Sequence, residues 1–274
     1  MVNRLLLVGL VISFMGCGKD ADYYMKRGNE YLAAGHLAEA AEEFEKAVEV
    51  EPENYEALNT LGAVLSSIGQ YDRAIEFFKR AIVVNDSQVE AHYNLGKALA
   101  LKGDHKEALN EFKAAVRLDS TYALAYLAAG ETLLEIGLTD EAIDSFKRAI
   151  RHDPSLIQAR IRLASAYVSN DEYDKAIEEL LRAKEIQPRN HELLSLAGRA
   201  AMLKRDFEKA IEFFTELTAL DDKNPVYRND LATALMLAGR KQEAIEEWKT
   251  ILDLNPDPSL EEVVRKNLER AQGD

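Results

Sequence analysis

The sequence predicts an all-α protein built as a stack of helix pairs, and three observations predict it. Over seven successive stretches, with no inserted or deleted residue, the pattern of small and large residues recurs every 34 positions. Alanine marks the beat at Ala40, Ala74, Ala108, Ala142, Ala176, Ala210 and Ala244. Four residues on comes a bulky apolar side chain (Phe44, Phe78, Phe112, Phe146, Leu180, Phe214, Trp248), and twelve residues before stands Gly28, Gly62, Gly96, Gly130, Ala164, Gly198 or Ala232. A fixed period of this length is the mark of stacked supersecondary units, each of which needs its neighbours to bury its apolar face. Such an array offers a long surface and rarely a deep catalytic pocket.

Within each unit the apolar spacing follows the helical period twice. In the second unit Leu58, Leu61, Gly62, Val64 and Leu65 make one stripe, and Ala74, Ile75, Phe78, Ala81 and Ile82 make the next. Gly69 falls between the two stripes, where a helix end favours a residue tolerant of positive φ, and Gly35, Gly103, Gly137 and Gly239 recur at the same register. Pro52, Pro154, Pro188, Pro225 and Pro256 fall at unit junctions, and Pro225 suits the first turn of a helix. The small residues allow close backbone approach, so leucine at Gly96 or Ala108 would overpack at a cost of roughly 1–3 kcal/mol. After the last unit, Ser259-Leu260-Glu261-Glu262 reads as a capping box that opens one more helix, running to about Ala271. Its Leu260, Val263, Val264 and Leu268 are expected to cover the last unit, while Glu261, Arg265, Glu269 and Arg270 face water.

These residues resemble the tetratricopeptide repeat (TPR) family from Ala21 to Pro258. Counting Ala21 as the first position of the repeat, Gly28, Tyr31, Ala40, Phe44, Ala47 and Pro52 match the family pattern, as do Gly130, Ala142, Phe146, Ala149 and Pro154. Leu217 and Ile251 depart from the small residue usual at position 27, and Arg160 and Arg228 from the apolar residue usual at position 4. The resemblance implies a right-handed α-solenoid of seven helix-turn-helix units (21–54, 55–88, 89–122, 123–156, 157–190, 191–224 and 225–258) plus a C-terminal capping helix and tail at 259–274.

The first twenty residues stand outside the array. Arg4 precedes an apolar run from Leu5 to Met15, too short for the roughly 20 residues that a helix needs to cross a bilayer, so residues 1–16 read as an export signal. Gly16-Cys17 follows, and Cys17 is the only cysteine of the chain, which precludes an intrachain disulfide. This arrangement resembles a bacterial lipoprotein signal, although Phe14 stands where leucine is usual. It implies lipidation of Cys17, a short tether over 17–20 with a reach of about 10 Å, and a location on the bacterial envelope. Gly18, in place of an aspartate, implies the periplasmic face of the outer membrane in a diderm host.

Charge and motifs exclude several function classes. Lys and Arg total 34 against 48 Asp and Glu, a net charge of −14 that repels a nucleic acid backbone. Much of the excess lies on second helices, as in Glu42, Glu43, Glu45, Glu49 and Glu51, which read as a solvated convex face. His36, His92, His105, His152 and His191 lie in different units with no ligand spacing, and no P-loop, dinucleotide fingerprint or nucleophile elbow occurs. Asn85-Asp86-Ser87 fits a glycosylation sequon as an isolated match. No enzyme activity, metal, cofactor or small-molecule substrate is expected.

Other proteins are the expected partners, with the membrane held through the N-terminal lipid. In the TPR family the first helices line a concave groove. Carried onto this chain, that implies Met25, Asn29, Asn59, Tyr93, Lys97, Leu127, Glu131, Ile161, Arg199, Met202, Asn229 and Met236 as partner-binding residues. Ala63, Ser66, Ala100, Leu124, Leu134, Ser165, Val168, Ser195 and Thr233 fall at related positions. The carboxylate clamp of chaperone-binding relatives is incomplete: Asn29 and Asn94 match, but Met25, Ala63, Leu124 and Ala128 do not. The resemblance implies a membrane-anchored scaffold, or alternatively a pilotin-like assembly factor for a type IV pilus or secretion complex, or a tether for peptidoglycan-remodelling enzymes.

Overall fold

A computed structural model describes residues 19–273. The signal segment, Cys17 and Gly18 lie outside the described residues. Among the described residues there are fifteen α-helices and no strands, and the fold is an all-α solenoid of the TPR type. The helices fall into two compact units. The first contains α1 (Ala21–Ala33), α2 (Leu37–Val50), α3 (Tyr55–Ser67), α4 (Tyr71–Val84) and α5 (Val89–Lys102). The second contains α6 (His105–Leu118), α7 (Ala123–Glu135), α8 (Thr139–His152), α9 (Ile157–Ser169), α10 (Tyr173–Ile186), α11 (His191–Lys204), α12 (Phe207–Leu220), α13 (Pro225–Leu237), α14 (Lys241–Asp253) and α15 (Pro258–Gln272).

In each unit the helices pack chiefly on their neighbours in sequence, as antiparallel pairs such as α3 on α4 and α7 on α8. First helices also touch directly, α3 on α5, α7 on α9 and α9 on α11. The beat alanines and the large residues four positions on form the buried core. Phe44, Phe78, Phe146, Leu180 and Phe214 are all essentially inaccessible to solvent. Leu217 and Ile251, which replace a small residue of the family pattern, are also wholly buried and are accommodated.

The turn inside each pair explains the recurrent glycine. Gly69 has φ +79°, and the next N–H, that of Gln70, bonds back to the carbonyl of Leu65 at 2.9 Å, closing the first helix in the left-handed manner. Gly35, Gly137 and Gly239 repeat this with φ between 77° and 82°. At the same register the fifth and sixth repeats carry Asp171 (φ 59°) and Arg205 (φ 64°), which hold a conformation that a side chain disfavours.

The turn between repeats is equally regular. Asp119 Oδ1 accepts from both the N–H and the hydroxyl of Thr121, at 2.8 and 2.7 Å, and Asp153 does the same for Ser155. Asn85 and Ser87 share that geometry at 3.1 and 2.7 Å. The sequon-like triplet is therefore the polar turn between repeats.

Three expectations are corrected. The last helix is capped by Asp257, whose carboxylate accepts from the N–H groups of Ser259 and Leu260, so it starts at Pro258 rather than from a capping box at Ser259. Val264, Leu268 and Ala271 supply its buried stripe, while Val263 is 46% exposed because it stands one residue off that stripe. Glu43 is not on a solvated face: it is 4% exposed and sits between Lys46 at 2.8 Å and Arg27 at 3.7 Å.

Candidate protein-binding surface

The candidate site is the face formed by the first helices, and each unit carries its own part. In the first unit, Asn29 is exposed. Asn59 and Asn94 lie on successive first helices and join through Nδ2 of Asn94, which donates to Oδ1 of Asn59 at 3.3 Å. Lys97 is exposed, its ammonium 5.5 Å above the ring of Tyr93. Met25, by contrast, is buried at 8% exposure and belongs to the packing between helices.

In the second unit the expected apolar centre divides. Leu124 is 40% exposed, and Leu134 and Val168 are half-buried, so these present apolar surface. Leu127 (8%) and Ile161 (1%) are buried in the core, because they lie on the side of α7 and α9 that faces neighbouring helices. They support the surface rather than form it. Asn229 is half-buried, and its Oδ1 accepts from the Trp248 indole at 3.3 Å, which directs that side chain to α14.

Across this face runs a polar ladder that the sequence reading saw only in part. Arg162 Nε donates to Glu131 at 3.0 Å, and its Nη1 donates to Glu192 at 3.1 Å, linking α7, α9 and α11. Further along, Arg199, Met202, Leu203, Phe214, Asp230 and Thr233 line a hollow of 230 Å3. Burial pushes the Asp230 carboxyl above the usual aspartate range, and the nearby Arg199 guanidinium partly offsets this. Met236 is half-buried, while Leu203 and Leu237 are more than half exposed. The arrangement combines apolar surface with paired, oriented charges, which suits a polypeptide ligand that is part apolar and part polar.

Sequence reasoning named Glu131 and Arg199 but missed their partners Arg162 and Asp230. A signal was present: each pair is separated by 31 residues, with opposite charges in reversed order. That spacing brings position 9 of one repeat beside position 6 of the next.

Among the described residues, no group of His, Cys, Asp or Glu is placed to hold a metal ion, and no helix is long and apolar enough to cross a membrane.

Two family models, both described as tetratricopeptide repeat, match the chain, one at residues 25–88, 64–123 and 107–157 and the other at 137–200 and 201–266. No curated protein matches significantly. Among solved structures, MamA is 28% identical, covering 59% of this chain and 94% of its own, with a TM-score of 0.54. YrrB, described as a TPR protein with an unusual peptide-binding site, is 23% identical over 68% of this chain and 96% of its own, with a TM-score of 0.54. The pilF product of Pseudomonas aeruginosa is 21% identical over 76% of this chain and 95% of its own, with a TM-score of 0.63.

Proposed function

This chain belongs to the tetratricopeptide repeat family, and from that premise we propose that it is a protein-binding scaffold, held on the bacterial envelope by lipid on Cys17. The observation that carries the binding role is the first-helix face of the second unit. There the Glu131–Arg162–Glu192 ladder and the hollow beside Arg199 and Asp230 lie among exposed Leu124, Leu203 and Leu237. Side chains in such a face orient a bound segment by charge and gain affinity from apolar contact.

The anchoring role is supported by Cys17 alone, which follows an apolar run and Gly16. A doubly or triply acylated cysteine holds firmly, since each buried methylene contributes about 0.8 kcal/mol, whereas one chain gives marginal binding. The tether is so short that the array would lie against the membrane and present its partner there.

The two parts are tested separately. Arg199→Glu should weaken partner capture, while Lys249→Glu on the exposed side of α14 should leave it unchanged; equal effects would place the interface elsewhere. Cys17→Ser should move the protein from the membrane fraction to the soluble fraction, and continued membrane association would defeat the anchor.

A further inference from the structure

One place in the repeat is filled differently in the fourth repeat than in any other. At position 23 the seven repeats carry Glu43, Phe77, Glu111, Ser145, Glu179, Phe213 and Glu247, so Ser145 alone is small. In the first, fifth and seventh repeats the carboxylate at this place is held by an arginine of the preceding helix: Arg27 for Glu43, Arg160 for Glu179 and Arg228 for Glu247. In the second and sixth a phenyl ring fills it, each under a cation: Arg80 lies 5.2 Å from the centre of the Phe77 ring, and Lys184 lies 5.7 Å from that of Phe213.

Beside Ser145, in the same place, the second unit has a hollow of 320 Å3. Its apolar wall comes from Leu109 and Val116 of α6 and from Tyr126, Ala129 and Leu133 of α7. At its rim stand Lys113, Glu141, Asp144 and Arg148. Arg148 is the repeat equivalent of Arg80, so the guanidinium that covers a ring in the second repeat is present here too. Among the described residues neither Lys113 nor Arg148 has an ion-pair partner, unlike Arg73 with Glu45 or Lys184 with Glu216.

We propose that this hollow on the second-helix face receives a phenylalanine side chain of a partner polypeptide, which takes the place that Phe77 and Phe213 occupy within the chain. The space is ample, since a dry cavity of about 150 Å3 already admits benzene. The occupant is aromatic because the rim supplies Arg148 at the repeat position from which Arg80 covers the Phe77 ring, although the position of Lys184, the cation over Phe213, is filled here by Val116. It is a polypeptide residue because Lys113 and Arg148 offer donors, and Glu141 and Asp144 acceptors, to the carbonyl and N–H groups that flank such a ring. The site is separate from the first-helix face and does not depend on it.

The test is binding of N-acetyl-4-fluorophenylalaninamide to the full chain, read by 19F NMR. Ser145→Phe should fill the hollow from within and weaken binding by about tenfold or more, the scale of a lost 1.4 kcal/mol contact. Phe213→Ser should do the reverse and create a second site of the same kind in the sixth repeat. Arg148→Gln should weaken the fluorophenyl probe by about fivefold, as loss of a cation over a ring implies, while leaving unchanged the affinity of the cyclohexylalanine analogue, read by its displacement of the probe. Failure of the probe to bind the wild type, or equal binding to a correctly folded Ser145→Phe, overturns the proposal. If Ser145→Phe does not fold, the absence of a new site in Phe213→Ser overturns it instead. Binding of 4-fluorotoluene as tight as that of the amide would show a site for small aromatic molecules and overturn the polypeptide assignment.

Discussion

A Cβ atom built on Gly130 would lie 2.5 Å from Cε1 of Phe146, closer than a real contact allows. The same relationship joins Gly28 to Phe44, Gly62 to Phe78 and Gly198 to Phe214. In the fifth repeat, by contrast, the small residue is Ala164 and the large one Leu180. In these four Gly–Phe repeats the two positions are a matched pair, the ring standing where a methyl group would be, whereas the seventh repeat buries Ala232 and Trp248 together. Gly130→Ala should therefore lower stability by about 1–3 kcal/mol. Adding Phe146→Leu should recover part of that loss, which denaturant titration of the full double-mutant cycle would show as a favourable coupling. Strict additivity would contradict the pairing.

The turn register supplies a stabilising substitution. Arg205 ends α11 with φ 64°, a conformation that costs a side chain roughly 1–2 kcal/mol and costs glycine nothing. Glycine loses more freedom on folding, by about 0.4–1 kcal/mol, so Arg205→Gly should gain about 0.5–1 kcal/mol. Thermal or chemical denaturation measures this, and a loss would mean that the Arg205 side chain makes a contact worth more than the strain.

The arginines at position 4, which depart from the family pattern, are explained by their partners. Arg160 pairs with Glu179 at 2.8 Å and donates to the Pro154 carbonyl at 3.3 Å. Arg228 pairs with Glu247 at 2.7 Å and donates to the Asp222 carbonyl at 2.8 Å. Where position 4 is Leu58 or Leu194, position 23 is Phe77 or Phe213. Arg160→Leu alone should destabilise, since it leaves Glu179 at 13% side-chain exposure with only Arg182 to hold it. Arg160→Leu with Glu179→Phe should be neutral or stabilising, as apolar replacement of a sheltered ion pair often is. A double variant less stable than the single would contradict this.

Asp230 predicts a pH dependence of definite sign. Burial raises its carboxyl pKa, so between the ordinary aspartate value and the raised one the folded protein binds more protons than the unfolded chain. Stability from this group is therefore greatest below that window and falls as pH rises through it. Asp230→Asn should remove that fall and be the more stable form at neutral pH. Arg199→Ala should steepen the loss, because the guanidinium favours the charged carboxylate. Urea titrations from pH 4 to 7 would show it, and identical pH profiles for wild type and Asp230→Asn would refute it.

The repeat made the fold legible from the residues alone, because the beat alanines, the paired glycines and the large residues are each needed for one packing contact. The left-handed positions at Asp171 and Arg205 were not legible from residue type, although their register pointed to them. The surface was harder to read. Leu127 and Ile161 carry the same apolar character as Leu124, and only the direction of their helix faces separates core from surface. Capping also resisted: Asp257 and Ser259 are both good caps, and Pro258 at the first turn decides for Asp257. The charge pairs Glu131–Arg162 and Arg199–Asp230 join neighbouring repeats at a separation of 31 residues, so they do not show in the 34-residue period that marks the fold.

The claim that partners bind on the first-helix face is tested most directly by photo-crosslinking in cells, with a benzophenone amino acid placed at one position at a time. Leu124 and Leu203 are 40% and 54% exposed on α7 and α11, and Lys249 is exposed on the second helix α14, three repeats from the Ser145 hollow. A discrete crosslinked partner is expected from Leu124 and Leu203 and none from Lys249. A partner captured from Lys249 and missed at Leu124 and Leu203 would contradict binding on the first-helix face.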